Sequence, residues 1–374
     1  MIWVFGIISI FYFLLILFLF FGFGKVPVHV PAEAAADNSF SIIIPFRNER
    51  KNLKALFASL LAMDYSREAF EIIFVNDNSE DDSEELCRSF IDSHPDLQMK
   101  LLNSVRSSGS PKKDAIRTAI GASKFPYIVT TDADCTVLPG WLQNYSSILQ
   151  ETGADLVAGP VVPYRKKGTL NTFQELDFLS LQAATIGAFG IGKPIMCNGA
   201  NLCYRKEAFL EAEGFKGNEG IASGDDIFLL GKFVADNKRT AFLKSPEAIV
   251  STQAQPDLSS LFSQRIRWAA KTSAYEDPFA KMVGVAVILM NLLLVLGVIF
   301  FAAGYDVKQV LLFSFFLKFN ADFMLIYRGA EFFGREKSMK SYFWVCLLYP
   351  FFCTTVGILS IFSGYTWKGR SFRK

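Results

Sequence analysis

The chain has 374 residues, enough for one or two domains, and a formal net charge of +2, so no whole-chain field points to nucleic acid. It is 51% hydrophobic with 38 Phe, too apolar for an ordinary soluble protein, and the excess is concentrated at the two ends. Two His (His29, His94) and six scattered Cys without a CxxC pair argue against a zinc site and read as isolated thiols of a reducing compartment.

Met1 to Gly24 carries no charged residue and is long enough to cross a hydrocarbon core of about 30 Å as a helix. A cleaved signal peptide, suggested by Ala34, Ala35 and Ala36, is the competing reading. Against it, no basic segment precedes the apolar run, and the run is too long. Residues 1–24 therefore read as a transmembrane helix and 25–38, with Pro27 and Pro31, as a linker. Residues 39–275 have the composition of an α/β domain. Strands are predicted at Ser41–Pro45, Glu71–Val75, Lys100–Asn103 and Tyr127–Thr130. Helices are predicted at Asn52–Met63, Asp82–Ser93 and Lys112–Ser123. This alternation predicts a mainly parallel sheet with ligands beyond the carboxyl ends of its strands. Residues 281–367 form a C-terminal membrane region of two to three segments, Met282–Tyr305, Gln309–Tyr327 and Ser341–Trp367. Lys318 and Asp322, four apart, are expected to pair on one helix face. The loop Arg328–Lys340 and the tail Lys368–Lys374 are both basic and both favour the cytoplasm. They cannot share it if Ser341–Trp367 crosses once: either one C-terminal segment is re-entrant or interfacial, or one basic loop lies outside, and the favoured expectation is a re-entrant or broken segment near Pro350.

Acidic residues at strand ends carry the chemistry. The strand Tyr127–Thr130 runs into Asp132-Ala-Asp134, two carboxylates able to reach one ligand. Hard oxygens of this kind suit Mg²⁺ or Mn²⁺ on a substrate diphosphate; a solvated Asx turn is the plain alternative. Asp77 follows the second strand, and the first ends in Pro45-Phe-Arg47-Asn48-Glu49, so three strands deliver polar groups to one edge. Asp225-Asp226 opens a helix from Ile227; paired carboxylates repel, which can make one a base, and a helix cap is the alternative. Gln264, Arg267 and Trp268 share one helix face. Arg offers a fork for phosphate and Trp a flat surface for a sugar, or both anchor an interfacial helix.

Taken in order, these residues resemble the family 2 inverting glycosyltransferases of GT-A fold, with relatives among the cellulose, hyaluronan and poly-N-acetylglucosamine synthases. The resemblance runs through Ser41–Glu49, Val75-Asn-Asp77, Lys112 in Pro-Lys-Lys-Asp-Ala, the DxD motif Asp132-Ala-Asp134, Cys197–Arg205, Gly224-Asp-Asp226 and the QxxRW motif at Gln264. It implies a Rossmann-like GT-A catalytic domain flanked by transmembrane helices. Pro45, Arg47, Asn48, Glu49, Asp77, Lys112, Asp132 and Arg267 would bind the nucleotide-diphosphate sugar donor. Asp132 and Asp134 would hold Mg²⁺ or Mn²⁺. Asp226 would be the catalytic base beside Asp225, whose part stays open because the family often has Glu there. Asn198, Gly199, Asn201, Gln264 and Trp268 would face a lipid-linked or membrane-associated acceptor. Nucleotide-sugars are cytoplasmic in bacteria, so the chain is expected in the inner membrane, multi-pass, with its catalytic domain in the cytoplasm. A processive polysaccharide synthase, an inactive sugar-nucleotide-binding subunit and a nucleotidyltransferase are the competing readings.

Overall fold

The computed structural model describes residues 2–31, 38–271, 274–362, 365–367 and 370–372. Ala34, Ala35 and Ala36 of the linker, and Lys368, Arg373 and Lys374 of the tail, lie outside them. Internal contacts divide the chain into two compact units. A membrane-type unit comprises Met1–Val26, Arg165–Ile195 and Ala254–Lys374, and an α/β unit comprises Pro27–Tyr164 and Met196–Gln253.

In chain order, α1 (Ile2–Lys25) opens the membrane-type unit. The α/β unit follows with β1 (Phe40–Phe46), α2 (Arg50–Leu61), β2 (Phe70–Asn76), α3 (Ser83–Ser93), β3 (Met99–Asn103), α4 (Pro111–Ala122), β4 (Tyr127–Thr130), α5 (Trp141–Thr152), β5 (Leu156–Ala158) and β6 (Val161–Pro163). After α6 (Thr169–Gly190), which belongs to the membrane-type unit, come β7 (Leu202–Arg205), α7 (Lys206–Glu211), α8 (Ile227–Ala235), β8 (Thr240–Phe242) and β9 (Val250–Thr252). The chain then forms α9 (Leu258–Ala269), α10 (Pro278–Ala302), α11 (Lys308–Phe332), α12 (Tyr342–Phe362) and the hairpin β10 (Tyr365–Trp367) and β11 (Arg370–Phe372).

The α/β unit is built on a seven-stranded sheet in the order β3-β2-β1-β4-β7-β5-β8. The first four neighbours are parallel, and β7 runs antiparallel to both β4 and β5. Strands β1 and β2 are near-continuous apolar runs because both faces are covered, and Ile42, Ile43, Ile44, Ile72, Ile73 and Phe74 are wholly buried. Leu53, Leu56, Phe57 and Leu60 give α2 its buried stripe, and Phe57 stacks on Phe90 of α3 at 4.0 Å. Pro45 is tolerated in a central strand because the β4 ladder ends at Ile43↔Thr130, while β2 continues to Phe46↔Asn76. This parallel set aligns the turns after β1, β2, β3 and β4 at one edge. The α/β fold with a mainly parallel sheet is the one expected.

In the membrane-type unit, four helices are long and apolar enough to cross a membrane: Trp3–Lys25, Pro278–Ala302, Lys308–Phe332 and Glu336–Phe362. Along α1 the exposed residues include Trp3, Ile7, Leu14 and Phe21, an apolar outer stripe at helical spacing that suits hydrocarbon rather than water. Lys318 and Asp322 pair as expected, and the Tyr12 hydroxyl donates to Asp322 Oδ1 at 2.7 Å. Helix α6 crosses the ends of two of these helices. Gly187 and Gly190 meet the Leu19 and Gly22 backbone of α1, and Leu179 and Ala183 meet Gly329 of α11. The break expected near Pro350 is not there: α12 runs through Pro350 as one helix. A proline removes a single intrahelical bond, and in a packed apolar bundle neighbouring helices offset that loss.

Candidate active site

The turns after β1 and β2 are zipped together. Asn48 and Asn78 both adopt left-handed backbone, φ 55° and 54°, a conformation that Asn tolerates better than most residues. The Asn48 N–H donates to Ser79 Oγ at 3.1 Å, and Glu80 N–H donates to Asn48 Oδ1 at 2.8 Å. Arg47 spans the two turns, donating to the Asp77 carbonyl at 2.9 Å, the Asn78 carbonyl and Glu80 Oε1 at 2.7 Å. Glu49 is buried, its carboxylate accepts from Asn52 Nδ2 at 2.6 Å, and its N–H donates to Ser83 Oγ at 2.8 Å. The buried Asp77 carboxylate is paired with Arg106, from the loop after β3. That loop is ordered by the wholly buried Asp114, which accepts from Ser107 and Ser108. Burial alone would raise the Asp114 carboxyl; these donors outweigh it and hold it below its ordinary value.

The DxD segment, α4 and the start of α8 meet through one ammonium. Lys112 Nζ lies 2.7 Å from Asp132 Oδ1 and 3.1 Å from Asp225 Oδ2. Burial would lower its pKa, but Asp132, Asp225 and Asp226 outweigh burial and raise it, so it stays charged. Asp226 Oδ2 accepts the Gly199 N–H at 3.1 Å, and its Oδ1 accepts the Ile227 N–H at 2.8 Å, capping α8. Asp226 thus takes the cap position that is the alternative to its reading as a base, and it does so beside Gly199. Gly199 lies close against this pair: an added Cβ would lie 2.7 Å from Asp225 Oδ2 and 3.2 Å from Lys112 Nζ. The Gly199 carbonyl accepts the buried Thr130 hydroxyl at 2.7 Å, tying this turn to the end of β4. Burial, and then the charge of Asp132, push the Asp134 carboxyl up to about 6. Next along the chain, Thr136 bridges to Ser251 and fixes the exit from the motif.

Among the described residues no three His, Cys, Asp or Glu side chains converge as a ready-made cation cage. Asp132 and Asp134 still fit a hard divalent cation. Two carboxylates one residue apart repel, a cation between them relieves that repulsion, and phosphate and water oxygens complete such a shell.

Two expectations meet a different arrangement. Asn201 is wholly buried and spends its amide inside the protein. Its Oδ1 accepts from Trp141 Nε1 at 2.8 Å and Tyr145 OH at 2.7 Å, and its Nδ2 donates to the Pro160 and Ala248 carbonyls at 2.8 and 2.9 Å. It has no capacity left for an acceptor. Asn198 accepts from Ala200 N–H at 3.0 Å, within its own turn. Gln264, Arg267 and Trp268 lie on α9, in the membrane-type unit, whereas every other residue singled out above lies in the α/β unit. Within the QxxRW motif the buried cation is Arg265, at a position the motif leaves open. It pairs with Asp177 of α6 at 2.6 Å, sits 4.2 Å over the Trp268 ring and donates to Gln264.

The family described as Glycosyl transferase family 21 matches residues 1–373. The chain belongs to that family. The motifs resemble family 2, so the resemblance named the activity class and the match names a different family number. Among relatives of this family 21 glycosyltransferase, the glycosyltransferase AglE of Haloferax volcanii is 26% identical over 186 residues, 50% of this chain and 58% of AglE. Ceramide glucosyltransferase 1 of Caenorhabditis elegans is 22% identical over 231 residues, 61% of this chain and 48% of that protein. The matches thus span about half the length of these relatives. The mannosyltransferase PcManGT of Pyrobaculum calidifontis, solved with GDP-Man and Mn²⁺, shares the fold with a TM-score of 0.61 at 16% identity, over 97% of this chain and 99% of that one.

Sequence reasoning passed over Arg106, Asp114 and three buried hydroxyls beside the main site residues. Ser110, Thr131 and Ser223 directly precede Pro111-Lys112, Asp132 and Gly224-Asp225, and their hydroxyl oxygens are without a hydrogen-bond partner among the described residues. A serine or threonine one or two positions before each motif residue is the only signal in the sequence, and it is a weak one.

Proposed function

We propose that this glycosyltransferase transfers a sugar, with inversion, from a cytoplasmic nucleotide-diphosphate sugar to a lipid-linked or membrane-associated acceptor. The observation that carries this reading is the convergence of Asp132, Asp225, Asp226 and Gly199 around Lys112, residues up to about a hundred positions apart in the chain, beside β4 of the parallel sheet. Arg47, Asn48, Glu49 and Asp77 form the nucleoside end, where backbone strain at Asn48 and Asn78 is held by the zipped turns. Ser110, Thr131 and Ser223 offer buried hydroxyls to the donor. Asp132 and Asp134 would hold Mg²⁺ or Mn²⁺, which when bound neutralises the diphosphate leaving group. Lys112 adds a second positive charge on that side.

Asp226 is the more accessible of the carboxylate pair and is the base; Asp225 is held by Lys112. Asp226 takes the proton of the acceptor hydroxyl, whose oxygen forms the bond to the anomeric carbon as the bond to the diphosphate oxygen breaks on the opposite face. Arg267 on the diphosphate, and Gln264 and Trp268 on the acceptor, carry over from the motif resemblance. A lipid acceptor is supported by the four apolar helices and by a relative named as a ceramide glucosyltransferase; a divalent cation and a nucleotide-sugar are supported by the solved neighbour that holds both. A cytoplasmic site is supported by the chain junctions. Three of the four junctions of the α/β unit have basic flanks: it is entered just after Lys25, left at Arg165-Lys166-Lys167 and re-entered just after Lys193, while the last exit, at Gln253-Ala254, has none.

The test is release of nucleoside diphosphate from a panel of nucleotide-sugars by the detergent-solubilised protein with Mn²⁺. One donor is expected to react, with a single product size rather than a ladder. Asp226→Asn is expected to lower turnover by about 10² to 10⁴ while donor binding persists. Unchanged turnover would remove Asp226 from the base role.

A further inference from the structure

The pairing of Lys112 has a consequence for the order in which ligands bind, provided the chain is the cation-dependent glycosyltransferase proposed above. Asp132 Oδ1 lies 2.7 Å from the Lys112 ammonium, an oxygen that a bound Mg²⁺ or Mn²⁺ would claim at roughly 2.1 Å. One carboxylate oxygen can accept both, but the two cations would then stand only a few ångströms apart and repel. Asp225 does not simply follow a displaced ammonium. The loop ahead of it is pinned by the neighbouring lysine: wholly buried Lys113 donates to the Asn218 carbonyl at 2.7 Å, Asn218 Oδ1 at 2.8 Å and the Ile221 carbonyl at 3.1 Å. Gly199 closes the space beside Asp225, since even a methyl group there would meet the Asp225 carboxylate and the ammonium. Consecutive lysines at the start of α4 thus do opposite jobs. Lys113 fixes a loop, and Lys112 reaches across two carboxylates that a bound cation and diphosphate would rearrange.

We propose that Lys112 is an internal counter-ion that competes with the divalent cation for Asp132, so that cation binding and transfer of the ammonium to the donor diphosphate are coupled. The diphosphate supplies the new partner that a displaced ammonium needs. Cation and donor then favour each other, and by linkage each raises the affinity of the other by the same factor. A lysine that only binds donor would leave affinity for the cation alone unchanged; a counter-ion opposes it. The two roles therefore differ in the sign of one measurement.

That measurement is titration of the detergent-solubilised full chain with Mn²⁺ alone, free Mn²⁺ being read by electron paramagnetic resonance. Lys112→Met and Lys112→Gln are expected to bind Mn²⁺ roughly 10-fold more tightly than the unaltered chain, and Lys112→Arg to bind like it. Adding Asp132→Asn to Lys112→Met is expected to abolish the gain, which assigns it to this site. Transfer activity is expected to fall in Lys112→Met even as Mn²⁺ binding tightens. Equal Mn²⁺ affinity in the unaltered chain, Lys112→Met and Lys112→Gln would overturn the counter-ion while leaving the glycosyltransferase reading intact. Mn²⁺ bound by none of them, with transfer undiminished in a chelator, would overturn both.

Discussion

At the scale of single residues, sequence spacing picked out charged groups that the fold brings together and misjudged a neutral one. Asp132, Asp225 and Asp226 were legible because a carboxylate at a strand end or helix start has few other reasons to recur in order. Their meeting through Lys112 was not, since nothing in Pro-Lys-Lys-Asp tells which lysine turns toward the carboxylates. Asn201 illustrates the limit. In Asn198-Gly-Ala-Asn201 the two amides look alike, yet one closes a turn and the other fastens α5, β6 and the turn before β9 from inside. Burial separates them, and burial is a property of the fold. Asn201→Ala strands the Trp141 and Tyr145 donors and two carbonyls in a dry core, and is expected to cost about 3 kcal/mol. That corresponds to a thermal midpoint lower by roughly 5 to 10 °C. Asn198→Ala is expected to shift it by less than about a third of that, because only one bond within its own turn is lost. Equal shifts in the two variants would show that Asn201 is not the fastener described.

At the scale of elements, strands β1 to β4 were legible because apolar β-branched runs between turn residues allow little else. Helix α6 was not. It sits in the middle of the α/β sequence and carries Glu175 and Asp177, so it lacks the long uncharged run that marked α1 and α10. Both acids are paired within the membrane-type unit, Asp177 with Arg265 and Glu175 with Arg335. What binds α6 to α1 is an absence of side chains. A Cβ at Gly190 would lie 1.8 Å from the Gly22 carbonyl oxygen, and one at Gly187 would lie 2.3 Å from that of Leu19. Close backbone approach of this kind, open only to residues without a side chain, supplies the contact. Gly190→Leu is expected to force the helices apart and cost roughly 3 kcal/mol, read as loss of folded, monodisperse protein on heating in detergent. Gly6→Ala and Gly284→Ala, with open space at the added Cβ, are expected to be neutral or stabilising by about 0.4 to 1 kcal/mol. If Gly190→Leu tolerated heat as well as those two, the glycine contact would not be what holds α6 to α1.

At the scale of the whole chain, the open matter is what α12 does in the membrane, since length and hydropathy alone make it a fourth crossing. Helix α12 packs mainly along α10, where an added Cβ at Gly357 would lie 2.5 Å from Ile288 Cδ1, and it also touches α9, α6 and the turn before it. The turn leading into it bonds α6 through Ser338 Oγ and Arg335 to Glu175. Its middle packs Phe352 against Phe173 of α6 at 5.0 Å and against Phe262 of α9 at 4.9 Å. Beyond its end, β10 packs on α9. Helix α6 crosses α1 and α11 at their carboxyl ends, and α9 follows β9 of the α/β unit by a few residues. The basic loop Arg328–Lys340 and the basic tail both favour the cytoplasmic face, a preference that the unbroken α12 satisfies only if it does not cross. Epitope tags placed in the loop Arg328–Lys340 and after Lys374 are therefore expected to be protected or cleaved together when sealed vesicles of either orientation are treated with protease. Opposite accessibility of the two tags would mean that α12 crosses, and that the charge of the loop and tail does not set the topology.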